Sequence, residues 1–136
     1  MPTKQRARSA RPDENVAAAI PACVSGWLVP GLGHFMLGKR GRALIFFGVV
    51  MSMFLLGLSM EGALVALDRS DLLQLLGGLA ELGVGLPYFV VDLLGRGDGN
   101  VTAVTYEYGY TFLIVAGLLN MLIVLDVFDI AVGRKD

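Results

Sequence analysis

The chain has one cysteine, one histidine and one tryptophan in 136 residues. A single cysteine, Cys23, closes no intrachain disulfide. A single histidine, His34, cannot supply an H-x-x-x-H pair, and no paired cysteines stand in for it, so no metal site is expected. One histidine is enough to ligate a haem or pigment axially, but nothing else in the chain supports a cofactor, and none is expected. No serine sits in a G-x-S-x-G setting, and no carboxylate pair has a glycosidase-like context. No catalytic residue is therefore assigned. The formal net charge is −1, which gives no overall electrostatic case for nucleic acid. No period of 20–50 residues repeats.

What the chain does have is apolar sequence in blocks. Hydrophobic residues make up 55% of it, mean hydropathy is +0.67, and charged residues are only 17%. Most charges lie between the blocks or at the ends, the pattern of a multi-span membrane protein. The expected fold is an all-α membrane protein with about four transmembrane helices, the first short and joined to the second by a glycine-rich turn. Residues 1–14 form a basic tail expected to be disordered, with Lys4, Arg6, Arg8 and Arg11. Residues 15–136 form one domain, with helices at about 15–29, 43–60, 72–91 and 111–132. Pro21 either kinks the first helix or is absorbed near its first turns. Ile20-Pro21-Ala22-Cys23 loosely matches a lipoprotein cleavage site, but the apolar run before it is short, and a buried thiol is the simpler reading.

The stretch from Pro30 to Arg42 organises the rest. Pro30, Gly31, Gly33, His34, Gly38, Lys39, Arg40, Gly41 and Arg42 combine a helix breaker, four glycines, the histidine and three cations. This is read as the turn between the first two helices. Gly33 to Lys39 formally fits G-x-x-x-x-G-K, but Arg40 stands where a phosphate loop needs Ser or Thr. Lys39, Arg40 and Arg42 are expected to meet anionic lipid headgroups. His34 is expected to hydrogen-bond a backbone carbonyl exposed by the turn. Trp27 is read either as an interfacial ring or as a ring packed between helices.

The third helix carries Gln74, Gly78, Glu81, Gly85 and Tyr88 at spacings of four and three, one helix face, and Pro87 is expected to kink its last turns. Glu81 lies near mid-span, where an ionised carboxylate costs at least about 2.5 kcal/mol. Asn120 lies near the middle of the fourth helix. Together they form the intramembrane polar pair, read either as a hydrogen bond between helices or as a proton or ion site. Residues 92–110 are expected to be a loop with a flexible turn at 95–100. Within it Tyr106, Tyr108 and Tyr110 alternate, as on an extended segment. Asp126 and Asp129 are expected to reach the membrane interface.

Trp27-Leu28-Val29-Pro30-Gly31-Leu32-Gly33-His34-Phe35-Met36-Leu37-Gly38-Lys39-Arg40-Gly41-Arg42 resembles the P-G-x-G-H-x-x-x-G-[KR] turn of an uncharacterised family of small bacterial multi-span membrane proteins. That family is similar to the two-transmembrane-helix domain family. The stretches 85–89, 106–122 and 133–135 also look like it. Met36 stands where the broader pattern has Tyr. The resemblance implies an integral membrane protein and no reaction.

These readings lead to a non-enzymatic inner-membrane protein that acts by interaction. It would be an accessory or scaffolding subunit of a membrane assembly, or a homo-oligomer, with the bilayer and its anionic headgroups as further partners. Lys and Arg in the flanks favour both termini in the cytoplasm. The alternative is a small transporter or proton-coupled protein using Glu81 and Asn120. A membrane-embedded enzyme would require His34 within reach of Glu81 or Asp126.

Overall fold

The computed structural model describes residues 12–64 and 71–134. The basic tail as far as Arg11 lies outside the described residues, as do Asp68, Arg69 and Lys135. The described residues form six helices and no strand: α1 (Pro12–Leu28), α2 (Leu32–Met36), α3 (Arg40–Ser59), α4 (Leu72–Leu82), α5 (Leu86–Leu93) and α6 (Tyr106–Ala131).

Two of these, α3 and α6, are long and apolar enough to cross a membrane. At 1.5 Å per residue, the 20 residues of α3 and the 26 of α6 span about 30 and 39 Å, against a hydrocarbon core of about 30 Å. The α4–α5 pair counts as a third span if taken together, although it is bent by 110°. By contrast α1, at 17 residues, reaches only about 25 Å. Pro21 lies well inside it rather than in its first turns.

Both long helices are apolar on every side. On α3 one face is buried through Ala43, Val50, Phe54 and Gly57. Its opposite side exposes Ile45 (64%) and Leu56 (49%). An all-apolar helix with only one stripe covered by protein needs an apolar surrounding on the rest. The core lies between α3 and α6, where Val50 and Phe54 meet Leu113, Ala116 and Ile123, with Val84 from the α4–α5 break. The long helix α6 is the spine, packing against α1, α2, α3 and α4.

Where α3 ends beside the start of α6, glycine faces glycine. A Cβ on Gly57 would stand 2.8 Å from the Gly109 carbonyl oxygen, and one on Gly109 would stand 2.7 Å from the Gly57 carbonyl oxygen. Small residues permit this backbone approach, the packing mode of helices in lipid.

Several helices stop by one device. After α2, α5 and α6, the second residue past the end is Gly38, Gly95 or Gly133, each with positive φ. In each case the next amide reaches back to a carbonyl in the last turn, as Lys39 does to His34 and Arg134 to Asp129. This is the Schellman cap. At the end of α3 the same position is held by Glu61, at φ 62°.

Two sequence expectations are corrected. The turn at 30–42 contains a short helix, α2, too short to leave a periodic signal. Residues 106–110 are helical rather than extended, and Tyr106 and Tyr110 stack one turn apart with centroids at 6.4 Å. The 95–100 turn is held by backbone bonds, Leu64 N–H to Gly97 O at 2.7 Å and Asn100 N–H to Glu61 O at 3.0 Å.

Candidate functional site

The third predicted helix does not kink at Pro87. It breaks at Gly83-Val84-Gly85, and Pro87 sits at the start of α5, where its missing N–H removes no helical bond. The break leaves carbonyls without helical partners. Two other segments come to them. From α1, the Trp27 indole N–H donates to Leu82 O at 3.0 Å. From α6, the Asn120 amide donates to Gly83 O at 2.8 Å and to Trp27 O at 3.2 Å, with Val84 O at 3.5 Å. One buried side chain thus ties the end of α1, the break and the middle of α6 together.

Close backbone packing makes this geometry possible. A Cβ on Gly117 would run into Ala80 O and stand 2.7 Å from its carbonyl carbon. Gly85, at φ 84° and ψ −129°, has a conformation L-residues rarely adopt. Its Cα faces the Trp27 carbonyl and Leu28. Trp27 therefore packs between helices, edge-on to Phe89 with centroids 6.5 Å apart, the second of the two readings of that ring.

Glu81 lies one turn before Gly85 and is 0% exposed. Gly78, Gly85 and Tyr88 of the predicted stripe are also buried, whereas Gln74 is exposed. The Asn120 amide goes to the backbone of the break, not to Glu81. The expected side-chain pair is thus a side chain and a broken helix, with Glu81 packed beside them.

His34 departs from expectation. Its Nε2 lies 2.8 Å from Asp126 Oδ2 on α6 and not against a turn carbonyl. The ring is 0% exposed, with the Asp126 side chain 20% exposed. The Phe46 ring packs edge-on at 4.8 Å. A ring N–H donated to the carboxylate satisfies a polar group that burial would otherwise penalise. Asp126, one to two turns before the end of α6, faces the turn with its side chain still 20% exposed. The pair joins residues 92 positions apart, so no spacing rule exposes it. The only signal in the sequence is one histidine and one acid, each in an apolar stretch.

The remaining turn residues divide into two groups. Gly31 and Gly33 are needed for contact: a Cβ on Gly31 would overlap Ala43 O, and one on Gly33 would stand 2.6 Å from Ala22 O. Pro30 is fully buried. Gly38 serves as a helix stop, and Gly41 has open space around it, with no structural demand for glycine. Arg40 and Arg42 are exposed and Lys39 is half-buried. No group of three or more His, Cys, Asp or Glu positioned to hold a metal occurs among the described residues.

A family model covers residues 21–136. The chain belongs to DUF6677, a family of unknown function. No curated protein and no solved structure matches the chain. The DUF6677 span contains every element of the arrangement: the end of α1, the turn, the break and α6.

Proposed function

We propose that this DUF6677 protein is a multi-pass integral membrane protein without enzymatic activity of its own, acting by interaction. It serves as an accessory or scaffolding subunit of a larger membrane assembly, or as a homo-oligomer. Its place is a bacterial cytoplasmic membrane, with both termini on the cytoplasmic side. A count of four spans requires α1 and α2 together to reach across.

The observation that carries this reading is the burial of Glu81, 0% exposed. A carboxylate that relays protons or binds ions must be reached by water or by the ion. The Asn120 amide nitrogen is engaged by backbone carbonyls and His34 Nε2 by Asp126. These bonds tie the helices together, although His34 Nδ1 and Asn120 Oδ1 are buried without a hydrogen-bond partner among the described residues.

One observation favours the alternative, a small proton-coupled or transport protein. Broken helices build ion sites in transporters, and Glu81 lies beside such a break. The enzyme reading has its required proximity in His34 and Asp126, but a fully buried ring offers a substrate no approach.

Purification of the tagged chain in mild detergent, followed by native mass measurement, tests the proposal. The expected result is co-purification with another membrane protein in fixed ratio, or a defined homo-oligomer. A lone monomer would count against it.

A further inference from the structure

An apolar groove of about 380 Å³ lies between the end of α1, α3 and α5, lined by Pro30, Phe47, Met51, Leu55 and Val90 among others. A second hollow of about 140 Å³ continues it past Pro30 and Phe47 to Leu44 and Phe35. One face of α3 forms the floor of both. Leu44, Phe47, Met51 and Leu55 recur at spacings of three and four, and Arg40 lies one turn before Leu44 on the same face. The Arg40 guanidinium stands over the Phe35 ring, 5.7 Å from its centroid, at the mouth of the second hollow. Lys39 adjoins it.

From this geometry we propose that the groove holds one acyl chain of an anionic phospholipid, with its phosphate at Arg40 and Lys39. Length and charge select this occupant. The 12 residues from Leu44 to Leu55 cover about 18 Å, close to the roughly 15 Å of one leaflet's hydrocarbon. The walls are apolar along that depth and the cations stand at one end only. A partner helix would fill the apolar part and leave the cations unused. A phospholipid uses both. The inference rests on the membrane placement proposed above, and goes beyond it in assigning a bound lipid to one site.

The test is native mass spectrometry of the full chain in mild detergent, titrated with dioleoylphosphatidylglycerol or dioleoylphosphatidylcholine. One phosphatidylglycerol adduct is expected to fill first, with a preference of about fivefold or more per cation engaged. Arg40→Gln with Lys39→Gln removes that preference. Leu55→Trp, on an exposed part of the groove wall, weakens both lipids. All three side chains are at least partly exposed, so the fold is retained. Equal binding of the two lipids by the unaltered chain, or phosphatidylglycerol adducts indifferent to both variants, overturns the site. An alkaline carbonate wash of membranes, made beforehand, separates the two failures. Release of the chain into the supernatant overturns the membrane placement and the lipid site with it.

Discussion

Replacement of Gly85 by alanine is expected to lower stability by about 2 to 6 kcal/mol, a large share of what a domain has. Two effects add. At φ 84° and ψ −129° an L-residue is strained, at a cost of about 1–3 kcal/mol. The added methyl would also overlap the Trp27 carbonyl oxygen and come within 2.8 Å of its carbon. That neighbour is backbone at the end of α1 and cannot rotate away. Overpacking of this kind costs a further 1–3 kcal/mol or so. Against a typical total of about 5–15 kcal/mol, the loss is severe. Thermal unfolding in detergent measures it. Gly48→Ala is the matched control. It lies inside α3 with open space where the methyl would go, and it should be neutral or slightly stabilising.

Asn120→Leu is expected to cost about 2 kcal/mol, and Asn120→Asp more. Leucine has nearly the right volume but donates nothing, so Gly83 O and Trp27 O lose their donor. Interhelical hydrogen bonds in membranes average only about 0.6 kcal/mol, because a chain unfolded in lipid also finds partners. Asn120 should exceed that average, since its amide serves carbonyls on two segments at once. Aspartate adds a second penalty by turning a negative oxygen toward carbonyl oxygens, with no N–H to offer unless it is protonated. The order Asn, Leu, Asp in unfolding temperature checks the account. Equal stability of the three would remove Asn120 as the tie between α1, the break and α6.

The helices were legible in the sequence because apolar blocks and their flanking charges carry that signal directly. The stripe with Gly78 and Gly85 marked the side that packs. The site was legible only in outline. Asn120 and Glu81 stood out as polar groups at depth, yet proline misled the position of the break. A proline disrupts a helix interior but suits a helix start, so Pro87 opens α5 and the glycines before it make the bend. The tyrosines at 106, 108 and 110 alternate, but no proline follows Thr105, and the helix simply begins earlier. The His34–Asp126 pair was beyond reach of local rules, because it depends on which face of α6 meets the turn.

That the buried polar groups hold the bundle rather than move protons is most directly tested by proton flux. The chain is reconstituted in liposomes with an internal pH dye, beside Glu81→Gln and protein-free vesicles. A carboxylate that is 0% exposed predicts flux no greater than in protein-free liposomes, for both the unaltered chain and the variant. Flux well above that level, abolished by Glu81→Gln in a variant that remains folded, would contradict the account and make Glu81 the centre of a transport site.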